Sequence, residues 1–197
     1  HTNLNGLYCS ILIKNKEYNV QTKLIGEFNV MNIAPCILVS TFLGLNPEEI
    51  KKQIETLSTN LEIFNYGNCI IINDSYNSNP DGFKAALDVL NKYPSSKKRI
   101  IITRGMLELG EKSKKIHKNI GEEISFIADE LVIITPDFVK FLKDGILEKY
   151  KINVLEKFEH IELLNYVKNL KNNDCVILLE NRIPTIVMDE LKNNKKI

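Results

Sequence analysis

Asn73-Asp74-Ser75-Tyr76-Asn77-Ser78-Asn79-Pro80-Asp81-Gly82 is the stretch of sequence from which the fold can be worked out. It follows an apolar run, Cys69-Ile70-Ile71-Ile72, and precedes a helix-patterned segment, Phe83 to Leu90. This order of buried strand, polar turn and helix puts a carboxylate, a phenol and several amides at the carboxyl end of a strand. Open α/β sheets bind their ligands at that end of their strands, so this turn is the first candidate site.

The chain after residue 60 alternates between short β-rich runs and helices of about three turns. Strands are predicted at 61–65, 69–73, 99–103, 130–135, 152–155 and 174–179, and helices at 81–92, 113–127, 136–149, 159–170 and 185–193. The alternation predicts βαβ units and an α/β fold with a mainly parallel sheet.

Parallel strands deliver the loops that follow them to one edge of the sheet. Four loops are expected there, at 74–81, 104–111, 136–137 and 180–184, and the first, second and fourth of these are unusually polar. Binding and catalytic residues are most often carried on loops of this kind, so we expect the site among these three.

The first 58 residues have a different pattern. Alternating apolar residues at 7–13 and 17–24 predict a β-hairpin, followed by an apolar helix to about Phe42. A second helix is indicated by Asn46-Pro47-Glu48-Glu49, which has an N-cap, a proline at the first helical position and acids in the first turn. A hairpin and two helices bury little core alone, so this segment is predicted to be the end of a larger domain.

Composition excludes several classes of protein. The chain has 26 basic and 25 acidic residues, so electrostatic capture of nucleic acid or of an anionic membrane is not expected. Apolar runs fall short of the roughly 20 residues that span a bilayer, and the N-terminus lacks the pattern of a signal peptide. His1 in place of Met indicates a cut chain or the remnant of a tag. The four cysteines lie in apolar segments, which predicts reduced thiols and a cytoplasmic protein.

The residues that could carry chemistry admit more than one interpretation. Asp74 could bind a ribose or orient a metal-bound phosphate, or it could be a helix cap, since Asp and Asn readily bond nearby backbone. The glycines of the 104–111 loop permit close ligand approach or a plain lead into a helix. His117 and His160 lack the spacing of metal ligands. Neither a dinucleotide fingerprint nor a phosphate loop occurs in the sequence.

Three separated segments resemble elements of the Mur ligases, which join amino acids or peptides to a cell-wall precursor using ATP. Residues 24–32 are similar to a G-x-[FH]-N-x-x-N element, and residues 73–80 to the D-D-S-Y-N-A-N-P element that opens the family's C-terminal domain. Residues 105–111, with His117 and Gly121, resemble a G-D-M-x-E-L-G-x-x-S-x-x-x-H-x-x-x-G run. The last two elements are typical of the branch that adds D-alanyl-D-alanine, and all three lie in the family's order.

The resemblance implies that residues 1–59 are the C-terminal remnant of a central ATP-binding domain and residues 60–197 a Rossmann-like C-terminal domain. The residues it implies for ATP binding are Asn29, Asn32, Asp74, Tyr76 and Asn77. Those it implies for substrate binding are Asn79, Glu108, Leu109 and Arg182. It implies no metal ligand within the chain, because the phosphate-loop lysine and the metal-binding residues would precede residue 1, so the isolated chain is expected to be inactive.

The implied reaction belongs to peptidoglycan biosynthesis in the cytoplasm. ATP and Mg²⁺ serve the intact parent, which converts the terminal carboxylate of a nucleotide-linked peptide precursor to an acyl phosphate. The amine of an amino acid or dipeptide then attacks it. The resemblance leaves open which amine is added, whether the polymer is bacterial or a related archaeal one, and the oligomeric state.

The chain departs from the family pattern at three places. Asn60 stands where the family has a nucleotide-contacting arginine, and a neutral amide cannot supply that charge. The K-G-S-R element is represented only loosely by residues 180–184, and Arg104-Gly105 replaces a Gly-Asp pair. These departures support an alternative, a divergent non-catalytic relative that binds a ligand or partner. A response-regulator-like domain is disfavoured, because the strand end at Asn73 lacks the acidic cluster that such domains use to hold magnesium.

Overall fold

The structure, a computed structural model, describes residues 2–3, 6–13, 15–24, 27, 29–57, 61–76 and 78–196. The chain divides into two units, His1–Asn60 and Leu61–Ile197. Asn60, which stands in place of the family arginine, and Asn77 lie outside the described residues, as do Gly26 and Phe28 of the first family element.

The first unit packs a three-stranded antiparallel sheet against helices. Its strands are β1 (Thr2–Asn3), β2 (Gly6–Ile13) and β3 (Lys16–Thr22), and its helices are α1 (Asn29–Phe42) and α2 (Pro47–Glu55). The hairpin and the cap at Asn46 are confirmed, since the Asn46 side chain accepts a hydrogen bond from the Glu48 amide at 2.9 Å. Its buried apolar residues are Leu7, Ile13, Tyr18, Val20, Leu24, Ile33, Ile37, Ile50 and Ile54.

The second unit is a sheet flanked by helices. Its strands are β4 (Glu62–Tyr66), β5 (Cys69–Asp74), β6 (Lys98–Thr103), β7 (Glu130–Ile133), β8 (Asn153–Glu156), β9 (Cys175–Glu180) and the short β10 (Lys195–Lys196). Its helices are α3 (Pro80–Asn91), α4 (Ser113–Ile127), α5 (Val139–Lys143), α6 (His160–Leu170) and α7 (Thr185–Asn193). Short 3-10 turns occupy Gly110–Lys112 and Glu148–Tyr150.

The strand order is β10-β4-β5-β9-β6-β7-β8. Strands β5, β9, β6, β7 and β8 run parallel, whereas β4 is antiparallel to β5 and β10 to β4. The predicted α/β fold with a mainly parallel sheet is therefore confirmed. The late strand β9 inserts between β5 and β6, so the loops that follow these three strands are neighbours.

Alternate residues of the central strands face different cores. Ile71, Ile100, Ile102, Ile177 and Leu179 join one apolar cluster with residues of α6 and α7. The intervening positions, among them Asp74, Thr103 and Glu180, therefore face the other side of the sheet, because successive side chains of a strand alternate.

One predicted helix is shorter than expected. The sequence predicts helix over 136–149, but α5 ends at Lys143 and a 3-10 turn follows at Glu148–Tyr150. A side chain at Gly145 would place its Cβ 2.0 Å from the Lys118 carbonyl oxygen. This close approach to α4 requires glycine at a position where glycine also weakens a helix.

The prediction of reduced thiols is wrong for one pair of cysteines. Cys69 and Cys175 begin neighbouring parallel strands and are joined by a disulfide, with a Cα–Cα distance of 4.7 Å. The pairing follows from strand register, which the separation of 106 residues along the chain does not reveal. Cys9 and Cys36 are free. None of the helices within the described residues is both long and apolar enough to cross a membrane.

Candidate functional site

Three strands end side by side at the carboxyl edge of the sheet. Glu180 of β9 is in register with Asp74 of β5 on one side and with Thr103 of β6 on the other. Residues in register on neighbouring strands have side chains on the same face. The loops that follow, 74–79, 104–110 and 180–184, are therefore gathered at one place.

Asp74 is not a helix cap. The Asn79 side chain caps α3 by accepting a hydrogen bond from the Gly82 amide at 2.9 Å. The Asx turn is formed by Asn73, whose Oδ1 accepts from the Ser75 amide and hydroxyl at 3.3 and 2.6 Å. The helix cap and the turn that could have explained Asp74 are thus formed by Asn79 and Asn73 instead.

The Asp74 carboxyl is partly buried, and no hydrogen bond reaches it from the residues that the structure describes. Burial raises its pKa from 3.8 to about 6, because the desolvated charged form is disfavoured. Tyr76 is 80% exposed. A half-desolvated acid next to an exposed phenol is suited to accept hydrogen bonds from a bound ligand.

The loop after β6 is held in place by His117. The His117 Nε2 atom accepts a hydrogen bond from the Met106 amide at 2.9 Å, and Nδ1 donates to the Ser113 carbonyl oxygen at 2.8 Å. The imidazole stacks on Phe138, with ring centroids 4.2 Å apart. Gly105 has φ +80°, and a side chain there would strike Phe138 at 2.5 Å. The contacts of His117 and Gly105 therefore fix the start of the loop, and the tip of the loop is free to contact a ligand.

His117 is a structural residue. Burial lowers its pKa, although the hydrogen bond to the Ser113 carbonyl acts in the opposite direction. The neutral form also fits the geometry, because Nε2 must accept from an amide. At the tip of the loop, Glu108 has φ 61° and is exposed.

Asn181 joins the three loops. Its backbone has φ 58°, a left-handed conformation that asparagine tolerates better than most residues. Its buried side chain donates from Nδ2 to the Gly105 carbonyl oxygen at 2.6 Å, and its amide donates to the Asp74 carbonyl oxygen at 3.3 Å. Sequence reasoning missed this role, although an asparagine directly after an apolar strand was a visible signal.

The three loops enclose a cavity of about 650 Å³. It is lined by Tyr76, Ser78, Asn79, Leu107, Glu108, Leu109, Asn181 and Arg182. All four residues predicted for substrate binding therefore line one cavity, together with Tyr76. Asp74 lies at the base of the same loops without lining the cavity. The loop 136–137 does not contribute to it.

Asn29 and Asn32 belong to the first unit, at the start of α1. Asn29 is buried and accepts a hydrogen bond on Oδ1 from the Asn32 side chain at 3.2 Å. Their predicted contact with ATP stays a prediction. Among the described residues, no three His, Cys, Asp or Glu side chains are grouped to hold a metal ion.

Glu180 is a site residue that sequence reasoning did not single out. Its side chain is fully buried, and the Ser78 hydroxyl donates to Oε1 at 2.5 Å. Burial, followed by the negative charge of Asp74, raises the Glu180 pKa well above 4.5, and the bond from Ser78 opposes this only in part. The available signal was an acid that directly follows five apolar residues of a strand.

Comparison with known proteins assigns this arrangement to a family. The model of the family described as "Mur ligase, glutamate ligase domain" matches residues 61–179. This chain belongs to the Mur ligase family. The resemblance of the sequence elements is thereby confirmed, and the cavity lies in a Mur ligase C-terminal domain.

Two curated Mur ligases are similar in sequence, and both are named UDP-N-acetylmuramoyl-tripeptide--D-alanyl-D-alanine ligase. The Bacillus subtilis protein is 29% identical over 176 residues, which cover 86% of this chain and 38% of that protein. The Borreliella burgdorferi protein is 33% identical over 152 residues, covering 74% and 32%. The chain thus spans about a third of the length of the relatives that it matches.

Solved structures of Mur ligases have the same fold. MurF from Acinetobacter baumannii aligns with a TM-score of 0.79 and 20% identity, over 98% of this chain and 43% of that protein. MurF from Thermotoga maritima in complex with ADP aligns with a TM-score of 0.74 and 18% identity, over 96% and 44%.

Proposed function

We propose that this chain is the C-terminal portion of an ATP-dependent Mur ligase that forms an amide bond between a nucleotide-linked cell-wall precursor and an amino acid or dipeptide. The observation that carries the proposal is the cavity at the carboxyl edge of the sheet, lined from three loops by Tyr76, Asn79, Glu108, Leu109 and Arg182. In a member of this family, a polar cavity at that edge is the natural place for the ligands of the reaction.

The nucleotide is proposed to lie against the Asp74 loop. A carboxylate oxygen that no protein donor occupies accepts hydrogen bonds from ribose hydroxyls, and exposed Tyr76 offers a ring face and a hydroxyl beside it. Contacts of Asn29, Asn32 and Asn77 with ATP are proposed on the resemblance of the sequence elements alone. The complex of a similar MurF with ADP supports nucleotide use by the parent.

The incoming amino acid or dipeptide is proposed to occupy the cavity. Glu108 and Arg182 are exposed and lie on different loops of its lining. A carboxylate suits the ammonium group of a zwitterion and a guanidinium suits its carboxylate. Two opposite charges on facing loops would orient such a molecule along the cavity.

The proposed chemistry converts a carboxylate, which is a poor electrophile, into an acyl phosphate, which is a good one. The precursor's carboxylate becomes an acyl phosphate at the expense of ATP, and the amine then attacks the carbonyl carbon and displaces phosphate. The residues of this chain bind, orient and exclude water, which would hydrolyse the acyl phosphate. Mg²⁺ would be held in the parent by residues outside this sequence.

The partners follow from this chemistry. The parent would use a nucleotide-linked peptide and a small amine in the cytoplasm, where ATP is available, for peptidoglycan biosynthesis. No phosphate loop is present in the 197 residues, so the isolated chain is expected to show no ATP hydrolysis.

The test compares two aspartates in the parent enzyme. Asp74→Asn should weaken binding of a non-hydrolysable ATP analogue about tenfold, equivalent to about 1.4 kcal/mol. The same substitution at Asp88, which is exposed on α3, should leave the affinity unchanged. Phosphate release that depends on both precursor and amine should accompany binding in the wild type. Equal affinities for the two variants would contradict the placement of the nucleotide.

A second candidate is a non-catalytic relative that binds a ligand or partner. It is favoured by residues 180–184, where Glu-Asn-Arg-Ile-Pro stands in place of the K-G-S-R element. A parent sequence without a phosphate loop, and no phosphate release with any amine, would support this candidate over the ligase.

A further inference from the structure

The Glu180 carboxyl group is buried without enough partners for an anion. The residue is fully inaccessible, Oε1 accepts one hydrogen bond from Ser78, and Oε2 has none from the described part of the chain. An ionised carboxylate with an oxygen left unsatisfied in the interior is costly. The sequence element at this position also departs from the family pattern, so the family does not account for an acid here.

The neighbours of Glu180 are set by strand register. Asp74 on β5 and Thr103 on β6 flank it on the same face of the sheet. The Thr103 hydroxyl accepts from the Gly105 amide at 3.0 Å, and its own hydrogen does not reach Oε2, which has no hydrogen-bond partner among the described residues. Ser78 faces Glu180 from the loop before α3. Among these neighbours, Asp74 carries the carboxylate, which is the strongest acceptor for a proton on Oε2.

The charges around this pair do not neutralise it. The ion pairs formed among the described residues do not include Glu180 or Asp74. The charge that acts on Glu180 is that of Asp74, and it is of the same sign. Two adjacent carboxyl groups that are both desolvated do not ionise together, and such a pair retains one proton near neutral pH.

We propose that Glu180 is a positioning residue for Asp74: Glu180 is a neutral carboxylic acid whose Oε2–H donates a hydrogen bond to the Asp74 carboxylate. The proton resides on the more deeply buried member, and Asp74 is the single anion of the pair. The hydrogen bond fixes one Asp74 oxygen and leaves the other for a ligand hydroxyl. The use of Asp74 for ribose rests on the proposed function, whereas the protonation of Glu180 does not.

The pair can be tested by substitutions that imitate or abolish the proposed donor. Glutamine at position 180 retains an acceptor for Ser78 and an N–H donor for Asp74. Leucine has a similar size and neither group. Glu156 provides the control, because it ends β8 at the same edge but is ion-paired with Lys143.

The experiment is a carboxyl-carbon NMR titration of the chain between pH 4 and 9. Wild-type Glu180 should keep the chemical shift of a protonated acid at pH 7. Glu180→Gln should leave the Asp74 pKa within about 0.5 of the wild-type value, and Glu180→Leu should raise it by about 1, because the donor is lost. Glu156→Gln should change neither.

A binding measurement in the parent gives a second readout. Glu180→Gln should retain the affinity for the ATP analogue within about threefold, and Glu180→Leu should lose about tenfold. If wild type bound no nucleotide analogue, the proposed function would fail while the titration still decided the protonation of the pair.

Three results would overturn the proposal. An ionised Glu180 resonance at pH 7 would remove the donor. A sharp fall of the Asp74 pKa in Glu180→Gln would show that a repelling charge, rather than a donor, had been lost. A change in both resonances on addition of K⁺ or Mg²⁺ would show that a cation, rather than a proton, neutralises the pair.

Discussion

Glu130 and Glu180 are both strand residues with buried side chains, but they lie at opposite edges of the parallel sheet. Glu130 begins β7 at the amino edge and is 3% exposed. Burial acts to raise its pKa, yet the hydrogen bonds outweigh burial and the pKa is lowered. The side chains that donate these bonds are those of Tyr166, Asn153 and Lys98.

Glu180 ends β9 at the carboxyl edge with one hydrogen bond, an unsatisfied oxygen and a like charge beside it. The same residue type therefore has a lowered pKa in one place and a raised pKa in the other. Both side chains are almost inaccessible to solvent, so the difference lies in the partners supplied and in the greater depth at which the Glu180 carboxyl group is buried. The amino edge supplies Glu130 with three donors, whereas the carboxyl edge leaves one oxygen of Glu180 without a partner, which is the condition for binding a ligand.

The largest loss of stability is expected on removal of Glu130, the glutamate that accepts three hydrogen bonds. Glu130→Ala leaves the Lys98 ammonium and the Tyr166 and Asn153 side chains without their acceptor, and should lower the free energy of unfolding by about 3–5 kcal/mol. Urea denaturation at pH 7 measures it. Glu156→Ala, which removes an exposed ion pair with Lys143, should cost less than about 1 kcal/mol. Similar losses in the two variants would contradict the importance of the network.

The second largest loss of stability is expected on removal of His117, which holds a loop at the carboxyl edge. His117→Ala removes the acceptor of the buried Met106 amide and the stacking on Phe138, and should cost about 2–4 kcal/mol. His160→Ala, at an exposed position, is the control.

The pH dependence of His117 has a definite sign. Its folded pKa lies below the unfolded value near 6.5, so its contribution is complete above that value and is lost as the pH falls below it toward the folded pKa. The difference in unfolding free energy between wild type and His117→Ala should therefore shrink in acid. A difference that stayed constant from pH 8 to 5 would show that protonation of His117 is not coupled to folding.

The carboxyl edge was predictable because it depends on local pattern. Alternating strands and helices imply parallel strands, and parallel strands imply one edge for their loops. Glu108 and Arg182 are separated by more than 70 residues in the sequence, yet both lie on loops at the carboxyl edge and line the cavity. The loop assignments required only the order of elements and no knowledge of which strands are neighbours.

The remaining features depend on register and could not be predicted in this way. The insertion of β9 between β5 and β6 sets Glu180 beside Asp74 and Cys175 beside Cys69. The same register brings Asn181 to the Gly105 carbonyl. An isolated sequence indicates that residue 180 ends an apolar strand, but it does not indicate which residue lies opposite.

A smaller effect on stability is expected when each of the two glutamates is replaced by glutamine and the pH is varied. The raised pKa of Glu180 means that its favourable contribution is present below the unfolded value near 4.3 and is lost as the pH rises toward the folded pKa. Glu180→Gln should therefore gain stability relative to wild type from pH 5 to 8, by about 1.4 kcal/mol for each pH unit between the unfolded and the folded pKa.

Glu130→Gln should behave in the opposite way. The pKa of Glu130 is lowered, so its contribution is present above the unfolded value and is lost only as the pH falls through the folded one. This variant should be less stable than wild type throughout pH 5 to 8, with a difference that narrows in stronger acid. Parallel pH curves for the two glutamine variants would remove the distinction between the edges.

The smallest effect on stability, with a measurable effect on binding, is expected in the cavity. Glu108 is exposed and makes no hydrogen bond within the described residues, so Glu108→Ala should change the melting temperature little. If its carboxylate holds the incoming ammonium, the KM of the parent for the amine should rise about tenfold, while the KM for ATP stays unchanged. Glu111→Ala, an exposed neighbour outside the lining, is the matched control. An equal rise for ATP and the amine would mean that Glu108 acts on closure of the site, and an unchanged KM for the amine would place the amine away from this loop.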